Sequence, residues 1–312
     1  MISAYRLVSN ILYPFLIIFI FLRKSLGKEH EIRFKEKIFP KFYSIPKMNK
    51  EKLVWFHAAS IGEVESIFPL VERLNTINKN LQILLTTVTL SSGNLVEKKL
   101  NNYQNVRHRY FPLDVNFLTK IFLDSWRPDA VFFVDSEIWP NFIFNLKKRN
   151  IPIAIINGRI TTKTFKRWMI FPKSAKKIFN CFDFSITSNE ETKDYLYKLG
   201  AKNIFNYGNI KFYAKINFSK NENKNEKFLK NKNFWCAVST HLGEERLFIE
   251  THLKIKKKIK NVLTVIIPRH IVNSEKIQYE CEKFKIPSQV LNFDEKIQDD
   301  KEIIIINSFG VI

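Results

Sequence analysis

The sequence predicts an α/β fold with two lobes, each built on a parallel sheet, behind an N-terminal membrane-associated helix. Three observations support this prediction: short apolar runs alternate with segments of helical spacing, a polar stretch near residue 220 interrupts the pattern, and the pattern then restarts. Strands that are apolar on both faces are typical of parallel sheets covered by helices on both sides. The 312 residues are enough for one or two full-sized cores.

The N-terminal segment, residues 1–27, is predicted to associate with a membrane. Its apolar run ILYPFLIIFIFL, Ile11–Leu22, is closed by Arg23 and Lys24. A bilayer span needs about 20 apolar residues, and this shorter run contains Pro14, so spanning the membrane and lying in its interface both stay open. No small-x-small cleavage site follows, which argues against a signal peptide, and the basic residues after the run indicate that the remaining chain stays in the cytoplasm.

The first lobe, residues 28–218, is predicted to alternate strands and helices. Apolar residues recur at helical spacing from Val64 to Leu74, SSGN opens a second helix, and a third begins near Pro140. The strands are predicted from short runs rich in β-branched and aromatic residues at Lys52–His57, QILLTTVT, Ala130–Glu137, Ile151–Asn157 and Phe182–Ser188. Such alternation indicates a parallel sheet with helices on both faces.

The polar stretch SKNENKNEKFLKNKN, 219–233, is predicted to be a linker, and the second lobe occupies 234–312. That lobe contains the strand sequences FWCAVST, VLTVIIP and EIIIINS and one helix at Glu244–Ile259. At the usual spacing of strands and helices it has room for only about three strands. The second lobe is therefore predicted to be incomplete, with its last strand forming an open apolar edge.

The charge balance, 51 Lys and Arg against 30 Asp and Glu, gives a formal net charge of +21. Such a charge is typical of a polyanionic partner, whether nucleic acid, an anionic membrane surface or an acidic substrate, but AT-biased codon usage produces the same lysine-rich mixture. The sequence contains no recognised nucleic-acid module, so no nucleic-acid partner is predicted. The basic stretch 28–37 is interpreted either as a segment lying on anionic headgroups or as a solvated helix face.

The three cysteines, Cys181, Cys236 and Cys281, are far apart and form no C-x-x-C pair. Neither a disulfide framework nor a zinc site is indicated, and a reducing compartment fits best. P-loop, G-x-G-x-x-G, H-E-x-x-H and G-x-S-x-G motifs do not occur, which argues against ATPases, simple dehydrogenases, zinc proteases and α/β-hydrolases.

Polar side chains cluster where the predicted strands of the first lobe end, which is where parallel sheets build binding sites. Glu63 lies at a helix N-terminus, where the helix dipole favours an ionised carboxylate that can accept a proton. The same position suits a glutamate that only caps its helix, and both interpretations stay open. Glu137 also suits a capping role. The cluster comprises Ser60, Gly62 and Glu63 after the first strand, Asp135, Ser136, Glu137 and Trp139 after the third, and Asn157 and Arg159 after the fourth.

Two loops of the second lobe suit an anion. STHLGEE follows a strand and opens a helix, so its backbone N–H groups and the side chains of Ser239, Thr240 and His241 are candidates for holding a phosphate. PRH, Pro268–His270, ends the next strand and adds the fixed cation of an arginine. Together the two loops favour a nucleotide monophosphate or diphosphate donor.

These loops, taken in order, resemble the Kdo transferases, the membrane-associated glycosyltransferases that move 3-deoxy-D-manno-octulosonic acid (Kdo) from its CMP-sugar onto a lipid A precursor. The matching pieces are HAASIGEVES, TTVTLSSGN, FPLD, DSEIWPN, INGRIT, SNEETKDYLYKLGA, GNIKF, STHLGEE and PRH. The resemblance implies a GT-B-like fold with two Rossmann-like lobes and an inverting transfer without a metal or other cofactor. It also implies CMP-Kdo, a lipid A precursor and inner-membrane lipids as partners, and a role in lipopolysaccharide core biosynthesis at the cytoplasmic face of the cell inner membrane.

Carried over residue by residue, the resemblance implies that Glu63 is the general base that deprotonates the acceptor hydroxyl. Glu137 and Lys211 match positions around the reacting centre. Substrate contacts are expected from Ser60, Gly62 and Arg159. The residues expected to bind the CMP donor are Ser239, Thr240, His241, Pro268, Arg269, His270, Phe309, Gly310 and Val311.

The sequence also departs from the family pattern. Family members continue beyond the point that matches INSFGVI, through a glycine-rich loop and an Asn-x-x-Glu motif that grips the nucleotide, so the chain is expected to be a C-terminally truncated member. Val311 stands where the family usually has an acidic residue, and Asp135 and Ser136 stand where Glu and Thr are more frequent. The alternative prediction is a catalytically silent acceptor-binding lobe of the same family.

Overall fold

A parallel sheet lies at the centre of each of the two units into which the chain divides, Met1–Lys215 and Ile216–Ile312. The computed structural model describes residues 2–43, 51–101, 103–135, 137–213, 224–292 and 295–308. The side chains of 42, 43 and 213 are outside that description, as are all residues in the gaps.

The first unit contains a seven-stranded sheet in the order β3-β2-β1-β4-β5-β6-β7. Its strands are β1 Leu53–His57, β2 Gln82–Thr87, β3 Val106–Tyr110, β4 Ala130–Val134, β5 Ile153–Gly158, β6 Phe184–Thr187 and β7 Ile204–Asn206. Its helices are α1 Ile2–Ser25, α2 Ile61–Ile77, α3 Leu90–Leu100, α4 Asn116–Trp126, α5 Pro140–Lys148, α6 Thr162–Met169, α7 Pro172–Phe179 and α8 Glu190–Leu199. Short 3-10 helices lie at Arg33–Lys37, Pro40–Tyr43 and Ile210–Tyr213.

Two hydrophobic layers cover the faces of this sheet, because successive strand residues point to opposite sides. Trp55 packs against Phe122 and Phe142 on one face, while Phe56 packs with Val64 and Ile67 of α2 on the other. The central strand β1 pairs in parallel with β2 and β4. The carboxyl ends of these strands therefore meet at one edge of the sheet.

The five strands predicted for the first unit are present, and two further strands, β3 and β7, were not predicted. In β3, VRHRY, buried residues alternate with arginines, so the run lacks the continuous apolar character of a central strand. The other missed strand, β7, has only three residues. The strand predicted at Ala130–Glu137 ends at Val134, because Asp135 adopts a left-handed φ of 60°.

The stretch 28–37 is only partly exposed to solvent: Lys28, Glu31 and Lys35 are exposed, and other charges are buried. Glu29, Glu36 and Lys37 are buried, and Lys37 Nζ pairs with Glu29 and donates to the Val88 carbonyl at 2.8 Å. Arg33 Nε donates to Glu36 Oε1 at 2.8 Å. The interpretation as a solvated helix face was wrong, because Phe34, Glu36 and Lys37 are buried, whereas the interpretation as a segment on anionic headgroups stays a prediction.

The second unit contains a four-stranded parallel sheet in the order β10-β11-β9-β8. Its elements are α9 Glu226–Lys230, β8 Asn233–Thr240, α10 Glu245–Lys256, β9 Val262–Pro268, a 3-10 helix Ile271–Asn273, α11 Ser274–Lys283, β10 Ser288–Leu291 and β11 Ile303–Ile306. The predicted open edge at EIIIINS was wrong: β11 is fully buried between β9 and β10. The short strand β10, which was not predicted, forms that edge instead.

Part of the stretch predicted as a linker, 219–233, belongs to the folded second unit. Residues Glu226–Lys230 form α9, and Asn233 begins β8. Asn225 joins this stretch to a later loop, since its Nδ2 donates to the Glu295 carbonyl at 3.0 Å. Phe228 and Leu229 pack against the buried residues of β9 and β11. The helix forms because these two apolar residues can be buried against the sheet.

Candidate active site

Glu63 caps the N-terminus of α2 at the carboxyl end of β1. The Ser60 hydroxyl accepts a hydrogen bond from the Glu63 backbone N–H at 3.4 Å and donates one to Glu63 Oε1 at 2.8 Å. Glu63 Oε2 accepts a hydrogen bond from the Ala59 backbone N–H at 2.7 Å. This reciprocal arrangement resembles a capping box, except that Glu63 accepts from the N–H of Ala59 rather than from that of the N-cap residue Ser60, so Glu63 does take part in capping the helix. Its role as a base stays a prediction.

The environment of Glu63 favours proton uptake. Burial raises the pKa of Glu63 to about 7; hydrogen bonds from Ser60 and Ala59 oppose this effect, and the negative charges of Glu137 and Asp135 reinforce it. Glu63 is only 9% exposed. Each carboxylate oxygen has two acceptor positions, so the cap leaves one position free on each. A carboxylate with a pKa near 7 suits a group that accepts a proton at neutral pH.

Glu137 is oriented by two aromatic side chains. Trp139 Nε1 donates a hydrogen bond to Glu137 Oε2 at 2.8 Å, and His57 Nε2 lies 3.5 Å from the same oxygen. His57 is fully buried at the end of β1, and its Nδ1 lies 2.9 Å from Thr86 Oγ1 on β2. Burial lowers the pKa of His57, so its ring is neutral at pH 7. His57 of β1, which contacts Thr86 of β2, thus lies next to the Glu137 carboxylate that follows β4.

A second pair of contacts brings Lys211 to the same edge. Asp135, directly after β4, has a left-handed φ of 60°, and Asn157, near the end of β5, has a left-handed φ of 56°. Asp and Asn tolerate this backbone conformation better than most residues. Asn157 Oδ1 accepts a hydrogen bond from the Ile210 backbone N–H at 3.1 Å. This bond fixes the short helix Ile210–Tyr213, and Lys211 Nζ in that helix lies 4.0 Å from Asp135 Oδ2.

Gly62 and Arg159 complete the cluster. A Cβ at Gly62 would lie 3.9 Å from Lys211 Nζ with no closer neighbour, so this exposed glycine leaves open space beside the lysine. Burial raises the pKa of Asp135, while the positive charges of Lys211 and Arg159 oppose that rise. The structure therefore brings most of the residues predicted for the first lobe together at one edge: Ser60, Gly62, Glu63, Asp135, Glu137, Arg159 and Lys211. Ser136 lies outside the described residues.

Two supporting residues, His57 and Thr86, were not predicted. A histidine at the end of an apolar strand was the available signal, since a buried polar side chain needs a partner. Trp55 Nε1 also donates to Thr86 Oγ1, at 2.8 Å. The pairing of β1 with β2 is what brings these groups together, and the local sequence does not specify it.

The first predicted donor loop, at the carboxyl end of β8, is already hydrogen-bonded to its own carboxylates. Glu244 Oε2 accepts from the His241 backbone N–H at 2.8 Å, and Glu245 Oε2 accepts from the Gly243 N–H at 2.6 Å. Ser239 has a left-handed φ of 59° beside an irregularity in the pairing of β8 with β9. Ser239 and His241 are exposed and Thr240 is buried. The backbone N–H groups of His241 and Gly243, which would suit a phosphate, therefore already donate to carboxylates of the same loop.

The second predicted donor loop lies beside the first. Pro268 pairs with Thr240 in the sheet, and the Arg269 backbone N–H donates to the Thr240 carbonyl at 3.0 Å. The side chains of Arg269 and His270 are exposed. The third group of predicted donor residues, Phe309, Gly310 and Val311, lies outside the described residues.

Other predicted features concern cysteines, metals and the membrane. Cys181 and Cys281 are buried free thiols, and Cys236 is an exposed one. Across the described ranges, no group of three or more His, Cys, Asp and Glu side chains is arranged to hold a metal ion. Helix α1 is long and apolar enough to cross a membrane by length and composition.

Sequence comparisons identify a family. Residues 33–214 match the profile described as 3-Deoxy-D-manno-octulosonic-acid transferase (kdotransferase). The 3-deoxy-D-manno-octulosonic acid transferase of Rickettsia bellii is 30% identical over 99% of this chain and 73% of its own length. A probable mitochondrial transferase of the same name from Arabidopsis thaliana is 27% identical, over 98% and 70%. The Haemophilus influenzae transferase is 26% identical, over 95% and 70%.

Solved structures with low sequence identity share the fold. A putative UDP-N-acetylglucosamine 2-epimerase from Listeria monocytogenes matches with a TM-score of 0.58 and 11% identity, over 84% of this chain and 70% of that one. The UDP-GlcNAc 2-epimerase from Neisseria meningitidis matches with a TM-score of 0.55 and 14% identity, over 83% and 72%. These similarities confirm the predicted α/β, GT-B-like fold class. The chain belongs to the family of 3-deoxy-D-manno-octulosonic acid (Kdo) transferases, which are glycosyltransferases.

Proposed function

We propose that the chain is an inverting glycosyltransferase that moves Kdo from CMP-Kdo to a lipid A precursor, lipid IV-A, in lipopolysaccharide core biosynthesis. The reaction takes place at the cytoplasmic face of the inner membrane. The observation that carries the proposal is the buried Glu63 carboxylate, whose pKa is raised to about 7 beside Glu137 and Asp135 at the carboxyl edge of the sheet.

Glu63 acts as the general base. Its carboxylate takes the proton of the acceptor sugar hydroxyl as the hydroxyl oxygen attacks the anomeric carbon of Kdo. The bond between that carbon and the CMP phosphate oxygen breaks, and CMP departs with the electron pair. One displacement inverts the anomeric configuration and needs no covalent glycosyl-enzyme. A general base of this kind contributes about 10² to 10⁴ to the rate.

The other first-unit residues position substrate and balance charge. Ser60 holds Glu63 in the cap, and the open space at Gly62 admits the acceptor sugar. Burial raises the pKa of Glu63, and the negative charge of Glu137 adds to that rise. Lys211 and Arg159 supply cations that offset the charge of the Kdo carboxylate or the departing phosphate.

The donor contacts belong to the second unit in this proposal. Ser239, Thr240 and His241 hold the phosphate of CMP, and Pro268–His270 binds beside them at the end of the neighbouring strand. Phe309, Gly310 and Val311, which follow β11 in the sequence, are proposed as further donor contacts. A phosphate at the first loop displaces the Glu244 carboxylate from the His241 amide.

The direct test incubates the purified 312-residue chain, in detergent, with CMP-Kdo and a tetraacylated lipid A precursor. CMP release and the mass of the lipid are measured together. A lipid mass gain equal to one or more Kdo residues, matched by CMP release, is expected. CMP release without a lipid mass gain indicates hydrolysis and contradicts the proposed acceptor.

A catalytically silent acceptor-binding lobe is the alternative function. The hydrogen bonds that Glu244 and Glu245 make to the loop amides favour it, because they occupy donors that a phosphate would need. Thermal unfolding with increasing CMP separates the two functions. A working donor site gains stability as RT ln(1 + [L]/Kd), whereas a silent lobe shows no saturable CMP effect.

A further inference from the structure

The first half of α1 is attached to the carboxyl edge of the first-unit sheet. Tyr5 Oη donates a hydrogen bond to Asp114 Oδ2 at 2.9 Å, and Asn141 Nδ2 donates to Ser9 Oγ at 3.3 Å. Asp114 follows β3, and it also accepts from the Asn141 backbone N–H at 3.0 Å. Asn141 is four residues beyond Glu137 in the chain. These contacts attach α1 to the segments that follow β3 and β4, and the second of these segments also carries Glu137.

The second half of α1 is attached to the segment that follows it. Tyr13 Oη donates to the Ile38 carbonyl at 3.0 Å, and Ile20 packs with Ile38 in a small buried cluster. Arg23 Nε donates to the buried Glu29 carboxylate at 2.6 Å. One face of the helix therefore contacts the folded unit along nearly its whole length.

The opposite face of α1 is a continuous, exposed apolar stripe; the Arg23 guanidinium lies 5.8 Å from the centre of the Phe19 ring at its C-terminal end. The side chains of the stripe are 45% to 66% exposed and recur at helical spacing: Leu7, Val8, Ile11, Leu12, Phe15, Ile18, Phe19 and Leu22. Basic residues follow at its C-terminal end, Arg23, Lys24 and Lys28. An apolar stripe ending in a basic cluster matches the interface of an anionic membrane, where acyl chains meet charged headgroups.

A bilayer-spanning position fits these observations poorly. Between Arg6 and Arg23 lie sixteen residues without a charge, which as a helix are about 24 Å long, against a hydrocarbon core of about 30 Å. Spanning would also separate Tyr5 and Ser9 from their polar partners, or would draw the folded unit into the bilayer. Each unsatisfied polar group would cost several kcal/mol there.

We propose that α1 lies in the plane of an anionic membrane and does not cross it. Its outward stripe inserts among the acyl chains, and its inner face stays on the carboxyl edge of the sheet. The edge that carries Glu63 and Glu137 is thereby held at headgroup level, where the sugar of a lipid acceptor lies. The proposal rests on the proposed function only for this acceptor; the docking of α1 does not depend on transfer.

The test measures the depth of nitroxide labels on the outward stripe. Val8→Cys, Phe15→Cys and Leu22→Cys are each made in the full chain with Cys236→Ser, because Cys236 is the exposed native thiol. The purified, labelled proteins are bound to phosphatidylcholine vesicles containing phosphatidylglycerol. Depth is obtained by electron paramagnetic resonance from label accessibility to oxygen and to a water-soluble nickel complex. Ile77→Cys, exposed on α2, is the matched control.

An in-plane helix gives three similar, shallow depths and a control label that stays in water. A spanning helix places Phe15→Cys deepest, about 10 Å deeper than the labels at Val8→Cys and Leu22→Cys near the two interfaces, and this profile would overturn the proposal. Equal burial of the labels without vesicles would assign the stripe to a second copy of the chain. Full water exposure with vesicles present would reject lipid docking altogether.

A second measurement tests the energetics of the same stripe. Phe15→Ser with Phe19→Ser removes two exposed aromatic side chains and leaves the inner contacts of α1 intact. The vesicle partition coefficient should fall by about tenfold or more, while transfer in detergent should stay unchanged. An unchanged partition coefficient would contradict insertion. Since the detergent assay does not require docking, failure of docking and failure of transfer are distinguishable.

Discussion

In each unit a loop connects a strand to the helix that follows it, and backbone N–H groups of that loop donate hydrogen bonds to glutamate side chains. The two loops nevertheless differ in chemistry. In the first unit, Glu63 is buried next to two other carboxylates, and its pKa rises to about 7. In the second unit, Glu244 is exposed to solvent and accepts a hydrogen bond from the backbone N–H of His241. A glutamate that accepts from a loop amide is therefore a buried group with a raised pKa in the first unit and an exposed side chain in the second. Surroundings, rather than the loop sequence, make the difference.

The largest expected effect concerns the buried carboxylate itself. Glu63→Gln keeps the hydrogen bond from the Ala59 amide at the helix start, because a glutamine oxygen accepts it, but the substitution removes the base. Transfer should fall by about 10² to 10⁴, measured as kcat/KM for CMP release with acceptor lipid.

Glu65→Gln is the matched control for this prediction. Glu65 lies on the same helix and pairs with Lys99 at 3.0 Å on the surface. Its substitution should change kcat/KM by less than about threefold, since an exposed ion pair contributes little. Equal decreases of kcat/KM in Glu63→Gln and Glu65→Gln would contradict the assignment of Glu63 as the base.

The second effect is on stability. The folded pKa of Glu63, about 7, exceeds the usual value of 4.5, so the folded state holds this proton more tightly than the unfolded state does. Stability is therefore lost as pH rises from about 4.5 to about 7, by about 3 kcal/mol at most, and the loss is constant at higher pH. Glu63→Gln should lack this loss.

Urea unfolding of both proteins from pH 5 to pH 8, followed by tryptophan fluorescence, measures the difference. The stability advantage of Glu63→Gln should grow up to about pH 7 and then level off. An advantage that is independent of pH would mean that Glu63 titrates near its ordinary pKa in the folded protein.

The third effect is on the pH profile of transfer. If Glu63 must be ionised, kcat/KM should fall about tenfold per pH unit below pH 7. Glu137→Gln removes a negative charge that adds to the raised pKa of Glu63, so the acidic limb should move to lower pH. A lower kcat/KM at high pH, with no change in the pH at which kcat/KM begins to fall, would indicate that Glu137 acts on the substrate and not on the pKa of Glu63.

The smallest effect concerns the second-unit loop. Glu244→Ala frees the His241 amide, so CMP binding should strengthen by about fivefold if that amide holds the phosphate. Isothermal titration with CMP measures the change. Glu250→Ala, on the same helix and paired with Arg246, is the control and should leave CMP affinity unchanged. Weaker or unaltered binding in Glu244→Ala would place the phosphate elsewhere.

Local sequence was enough for much of the fold. The run LVWFH predicts a buried strand, and Ser60 with Glu63 three residues later predicts a helix start, because strand burial and capping depend on neighbours in the chain. The local sequence did not predict β3, where arginines alternate with buried residues. It also predicted the wrong position for β11, which was expected at the edge of its sheet and lies between two other strands. Strand order depends on contacts between distant segments, which periodicity does not report.

The candidate site divides in the same way. The sequence by itself determined which polar residues follow the strands, since strand ends and the motifs around Glu63, Glu137 and Lys211 are local features. Only the tertiary structure decided the raised pKa of Glu63 and the support of Glu137 by His57. Both depend on burial and on charges that β1, β2 and β4 bring together. A pKa follows the three-dimensional distribution of charge and solvent, and a linear pattern contains neither.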